Sequence, residues 1–112
     1  MEVILDTNFM ALPFTEKVDV YRLMLESIDE PYELVALEPC IAELERISKP
    51  AAELARRKVR IIPAKGFADS VIVTYSRGKR VLVCTQDYEL RQKLAKLRIP
   101  VAMYSNGKLR RR

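Results

Sequence analysis

The sequence predicts an α/β fold: a three-layer αβα sandwich in which helices cover both faces of a central parallel sheet of about five strands. Three observations predict it. Short apolar runs of strand length alternate with amphipathic stretches of helix length along the whole chain. The runs are continuously apolar, as strands buried on both faces must be. A chain of 112 residues, 49% of them hydrophobic, can bury one such core and has no room for two.

Residues 3–5 (Val-Ile-Leu) make a first strand that stops at Asp6. A loop is expected through Pro13, then a helix over about 16–28, where Val18, Tyr21, Leu25 and Ile28 recur at helical intervals and Pro31 closes the segment. Glu33–Leu37 is a second strand, and Pro39 suits the first turn of a helix carrying Ile41, Leu44 and Ile47 on one face. Ser48 and Pro50 open a short helix through Ala55, followed by the basic patch Arg56-Arg57-Lys58. Residues 59–62 form a third strand ended by Pro63. The stretch 67–76 reads two ways: Val71, Ile72, Val73 and Thr74 favour a strand, while Ala68, Ile72 and Tyr75 share a helix face and Gly78 fits the residue past a helix end. We assign a helix, because it completes the alternation. Val81–Cys84 is a fourth strand, 87–98 a helix with Leu90, Leu94 and Leu97 on one side, and 101–104 a fifth strand. A single domain thus spans 1–104, and 105–112 is expected to be a turn and a frayed basic tail.

Composition removes several chemistries. The chain has no His, so a Ser-His-Asp triad, an imidazole base and His-ligated zinc are excluded. Cys40 and Cys84 lack CxxC spacing, which argues against thiolate metal sites and a disulfide framework. Cys84 suits a small core hydrophobe, and Cys40 has no nearby base to make it a nucleophile. Phosphate-cradling GxxxxGK[ST] and GxGxxG motifs are missing. No targeting signal and no membrane-length apolar run occurs, so a cytoplasmic protein with no membrane association is expected. Lys and Arg outnumber Asp and Glu by 20 to 15, and the net charge of +5 gives a modest preference for polyanions. Much of the excess lies in Lys108, Arg110, Arg111 and Arg112.

Open parallel sheets bind ligands beyond the carboxyl ends of their strands, where strand order reverses. Asp6 ends the first strand, Glu43 lies about a turn into the helix after the second, Asp69 starts the helix after the third, and Asp87 follows the fourth. One fold could gather all four at one edge. Clustered carboxylates repel one another unless a cation is present, and oxygen-only ligands suit Mg²⁺ or Mn²⁺. Such an ion acidifies water and offsets charge on a phosphate, which is phosphodiester-hydrolase chemistry. Each acid also has an ordinary local reading. Asp87 fits a helix N-cap, Glu43 a solvated face and Asp69 a dipole partner. Asp6, set directly on an Ile-Leu run, is the hardest to explain without bonds or a cation.

At these positions the sequence resembles the PIN-domain family of metal-dependent ribonucleases, in particular its short archaeal stand-alone members. The resemblance rests on Leu5-Asp6-Thr7-Asn8, Ile41-Ala42-Glu43-Leu44, Ala68-Asp69-Ser70 and Thr85-Gln86-Asp87-Tyr88-Glu89-Leu90, in order across essentially the whole chain. It implies that Asp6, Glu43, Asp69 and Asp87 are the acidic metal-binding and catalytic residues. It also implies that Asn8 orients the first aspartate and that Thr85 supports the site by hydrogen bonding. Mg²⁺ or Mn²⁺ as cofactor, RNA as substrate and homodimer formation follow from the same resemblance; an antitoxin-type partner is not evident. The chain departs from the pattern at Ser70, where members often carry a second Asp, and at Gln86, where Asn is frequent.

Candidate RNA contacts are Lys65 after the third strand, Tyr88 as a base platform, and Lys108 and Arg110 in the basic tail. Arg77, Lys79 and Arg80 precede the fourth strand and are read as a solvated loop at the far edge. Two competing functions stand beside the nuclease. One is an RNA-binding module of a ribonucleoprotein assembly that lacks turnover. The other is an aspartyl-phosphate enzyme, disfavoured because Asn8 stands where a second Asp is wanted.

Overall fold

The computed structural model describes residues 1–111. Strands β1 (Glu2–Leu5), β2 (Glu33–Leu37), β3 (Arg60–Ile62), β4 (Val81–Cys84), β5 (Val101–Ser105) and β6 (Lys108–Arg111) form one sheet in the order β3-β2-β1-β4-β5-β6. The first five are mutually parallel, and β6 returns antiparallel to β5. Helices α1 (Thr7–Thr15), α2 (Val20–Ser27), α3 (Glu38–Ile47), α4 (Lys49–Lys58), α5 (Ala68–Ser76) and α6 (Tyr88–Lys96) connect them. The expected α/β architecture is present, with the strands near their expected positions.

The central strands are apolar throughout because both faces are covered: Val3, Ile4, Leu5, Leu82, Val83 and Cys84 have no exposed surface. Chain order reverses between β1 and β4, which run side by side with Leu5 opposite Cys84. The next residues, Asp6 and Thr85, therefore emerge together at the crevice where a doubly wound sheet binds ligands.

Three expectations are corrected. The loop expected through Pro13 is helix α1. Phe9, Met10, Ala11 and Leu12 are all buried, so no polar face gives the segment a helical period. Pro13 lies inside the helix and forgoes the N–H that would otherwise bond Phe9 O. The helix expected over 16–28 is correspondingly shorter, beginning at α2 after Asp19, whose Oδ1 accepts from the Arg22 N–H at 3.1 Å. Second, Arg56, Arg57 and Lys58 are not a patch beyond a helix but the last turn of α4, where cations complement the helix dipole.

Third, residues 108–111 of the expected frayed tail are strand β6, so the sheet is mixed and six-stranded. Asn106 and Gly107 have φ of 48° and 78°, the left-handed pair that a two-residue hairpin turn requires. Leu109, the one apolar residue of the strand, packs against the core. Alternation with Lys108, Arg110 and Arg111 concealed the strand as a charge run, and such charges suit an exposed sheet edge. Arg112, also assigned to that tail, lies outside the described residues.

The hairpin yields a test that separates a strand from a loose end. A Cβ on Gly107 would meet nothing within 4 Å, so Gly107→Val carries only the backbone cost of a branched residue at positive φ. That substitution is expected to lower the unfolding free energy by about 1–3 kcal/mol in denaturant titration, whereas a frayed tail would lose nothing.

Candidate active site

Asp6 continues β1 by one ladder bond, its N–H donating to Cys84 O at 3.0 Å, and then caps α1. Its Oδ1 accepts from the Thr7 N–H at 2.8 Å, and its Oδ2 from the Thr85 hydroxyl at 2.7 Å. Only 4% of the residue is exposed. Burial pushes its carboxyl above the usual range; the Thr85 and Thr7 bonds oppose this, and the charges of Asp69 and Glu43 reinforce it. Carboxylates contributed by β1, α3 and α5 thus act on one another, although they are remote along the chain.

Thr85 connects Asp6 to the backbone of Asp87. Its hydroxyl accepts from the Asp87 N–H at 3.0 Å while its single proton goes to Asp6. Asp87 is the N-cap of α6, its Oδ1 accepting from the Leu90 N–H at 3.2 Å, so its ordinary local reading is also realised. Asn8, in the first turn of α1, accepts through Oδ1 from the Gln86 N–H at 2.9 Å and offers Thr85 a second acceptor at 3.3 Å. The structure therefore brings Asp6 within electrostatic reach of Glu43 and Asp69 and bonds it to Thr85, which in turn holds the Asp87 backbone; Asn8, expected to orient Asp6, holds the Gln86 N–H instead. Among the described residues, no three Cys, Asp or Glu side chains are grouped closely enough to hold one ion directly.

Gln86 is a residue that sequence reasoning passed over, registering it only as a departure from a pattern. Its Nε2 donates to Tyr104 O at 3.0 Å and its Oε1 accepts from the Tyr104 N–H at 2.7 Å. The side-chain amide imitates a peptide unit and extends the β4–β5 ladder past Cys84. A polar side chain two residues past a buried strand was the available signal.

Glu43 and Lys65 line one groove of about 380 Å³ with Ala42, Arg46, Gly66 and Ala68, so the lysine stands on the acidic side as expected. Tyr88 is 62% exposed, and the Arg91 guanidinium lies 5.8 Å from its ring centroid. Lys108 opens β6 opposite Ser105, at the same sheet edge as Asp87, whereas Arg110 faces Met103 farther back. At the other edge, Arg80 pairs with Glu30, and the Lys79 ammonium lies 3.6 Å from the Tyr75 ring centroid. That loop is anchored rather than merely solvated. Cys40 Sγ approaches Asp6 Oδ1 at 3.8 Å, and burial together with the Asp6 and Glu43 charges pushes its thiol up to about 12. A thiol so protonated at neutral pH is no nucleophile, in agreement with the sequence reading.

Comparisons with known proteins identify the family and its relatives. Residues 3–108 match the family described as a PIN like domain. The chain is 29% identical to Ribonuclease VapC4 of Methanocaldococcus jannaschii over 121 residues, covering 96% of this chain and 92% of that protein. The solved structure of the PIN domain endonuclease Utp24 superposes with a TM-score of 0.86 at 28% identity, covering 98% of this chain and 90% of the other.

The raised Asp6 carboxyl has a sign that stability measurements can read. A carboxyl raised in the folded state disfavours folding once the pH exceeds its unfolded value near 4, and the penalty vanishes below it. In chelator-containing buffer, Asp6→Asn is therefore expected to raise Tm by a few degrees at neutral pH. The gain should disappear as the pH falls toward 4, because the parent is then protonated too.

Proposed function

Because the chain belongs to the PIN-like domain family, we propose that it is a ribonuclease dependent on Mg²⁺ or Mn²⁺, cleaving RNA phosphodiester bonds in RNA processing or turnover. The observation that carries this reading is the Asp6 carboxylate, buried at the strand crossover and pressed further toward protonation by Glu43 and Asp69. An ionised group so placed, with bonds from the Thr7 N–H and the Thr85 hydroxyl, a weak thiol contact from Cys40 and two like charges nearby, is what a divalent cation would stabilise. The donor set is all oxygen and hard, which fits these two ions. The resemblance to a ribonuclease and to a PIN domain endonuclease points the same way.

In this reading Asp6, Glu43, Asp69 and Asp87 hold the ion, directly or through water. A bound ion would supply Lewis acidity toward water and toward the phosphate oxygens. The remaining residues position and neutralise. Thr85 fixes the Asp6 oxygen at 2.7 Å and keeps that carboxylate facing the crevice. Asn8 holds the Gln86 backbone and so sets where Asp87 begins its helix. Lys65, beside Glu43, neutralises a phosphate of the strand entering the acidic edge. Tyr88 offers an exposed ring for a base, and Lys108 and Arg110 add positive potential along the hairpin.

Labelled single-stranded RNA incubated with Mn²⁺ tests the proposal. The parent should cleave it, chelation should stop cleavage, and added Mn²⁺ should restore it. Asp6→Asn is expected to lower the rate by at least about a hundredfold, and Thr85→Val, which frees the Asp6 oxygen, by roughly tenfold or more. RNA retained without cleavage would favour the binding-module reading, and Asp6→Asn cutting as fast as the parent would refute the site.

A further inference from the structure

A second groove, of about 480 Å³, runs beside the first along the flank of α5. Lys65 lines both, so the second begins where the acidic one ends. Its walls carry Ser70 and Thr74, one helical turn apart, with Val71 and Tyr75 beneath, and Lys79 closes the far end. No acidic side chain lines it, whereas the first groove carries Glu38 and Glu43 alongside Arg46 and Lys65. Ser70 contributes to this: an acid at that position would put a negative charge in the groove wall.

Both lysines are available to an anion. The ion pairs among the described residues involve neither Lys65 nor Lys79. The Lys79 ammonium is held over the Tyr75 ring at 3.6 Å, which fixes its place without neutralising it. Tyr75 is itself fixed, its hydroxyl donating to Glu2 at 2.6 Å, and the charge of Glu2 is already met by Arg60 at 3.0 Å. Gly66, at φ 133°, turns the chain between Lys65 and α5, and a Cβ there would meet Val71 Cγ1 at 3.3 Å.

Resting on the nuclease reading, we propose that this groove is the exit track of the substrate: a single RNA strand passes from the acidic edge by Lys65 and follows α5 to Lys79. The nine residues of α5 span about 13 Å, room for roughly three or four stacked nucleotides at ~3.4 Å each. The lysines take phosphates at the two ends, and the Ser70 and Thr74 hydroxyls meet sugar or phosphate oxygens between them. The apolar floor accepts base or ribose faces and reads no sequence. Single-stranded RNA is the occupant because a groove with cations at both ends, hydroxyls between and no acid matches a flexible polyanion, and because it adjoins, at Lys65, the groove that carries Glu43.

The test compares Thr74→Glu, Lys79→Ala and a charge-matched Lys96→Ala on α6 with the parent, using a single-stranded RNA of about ten nucleotides. Thr74 is exposed and Glu is a good helix former, so the fold should tolerate the first change. Cleavage with Mn²⁺ should show KM raised roughly tenfold by Thr74→Glu and about threefold by Lys79→Ala, with kcat little changed and Lys96→Ala at the parent's KM. In the slow-cleaving Asp6→Asn background with chelator present, Lys79→Ala should also reduce the slope of log affinity against log salt by about 0.7. If the parent cuts RNA while Thr74→Glu and Lys79→Ala keep its KM and salt slope, the track is refuted and the nuclease reading survives. If the parent neither binds nor cuts RNA, both fall.

Discussion

The structure depends on keeping one ionisable side chain, Asp6, at the end of a fully buried strand. Removing an ionised carboxylate from water costs several kcal/mol after relaxation. Two charge-assisted hydrogen bonds, from the Thr7 N–H and the Thr85 hydroxyl, return about 1.5–3 kcal/mol each. They do not win outright, because burial and the Asp69 and Glu43 charges leave the carboxyl raised. The surrounding architecture determines how the imbalance is met. Asp6 caps α1, so the positive end of that helix faces its charge, and Thr85 reaches it because β1 and β4 are parallel neighbours in register.

That register organises the rest of the edge. With Leu5 opposite Cys84, the chain leaves both strands at the same level and the residues that follow interlock. Asn8 from α1 receives the Gln86 N–H, and Gln86 in turn grips Tyr104 through both its amide atoms. Three parallel strands are thereby stitched together just beyond the point where their own ladder ends. The β5–β6 hairpin inherits this placement, which brings Lys108 to the acidic edge and leaves Arg110 behind it. A rigid edge of this kind holds acidic groups against their repulsion, as preorganised electrostatics requires.

The two edges of the sheet divide the charges differently. At the amino ends of the strands, Arg60 meets both Glu33 and Glu2, and Arg80 meets Glu30. Exposed pairs of that kind contribute little to stability. Their consequence is local: they meet those carboxylates, while Lys79 at the same end takes part in no ion pair among the described residues. At the carboxyl ends the Glu43 and Asp69 charges act on Asp6, and Lys65, beside Glu43, takes part in no ion pair among the described residues.

The apolar runs at Glu33–Leu37 and Val81–Cys84, with amphipathic stretches between them, determined the α/β class without any tertiary knowledge, because burial on both faces leaves a period-free apolar signature. The spacing of Asp6, Glu43, Asp69 and Asp87 after successive strands likewise identified the candidate acids. Helix α1 was illegible because its consecutive buried apolar residues, Phe9, Met10, Ala11 and Leu12, leave no polar stripe, and β6 because its one apolar residue sat among basic ones. Only the tertiary structure decided that β1 lies beside β4, that Thr85 and Gln86 bind across that junction, and that Lys79, assigned to a distant loop, ends a groove beginning at Lys65. The reason is physical: a hydrophobic period reports which face of an element is covered, while strand order and side-chain contact depend on which other element does the covering.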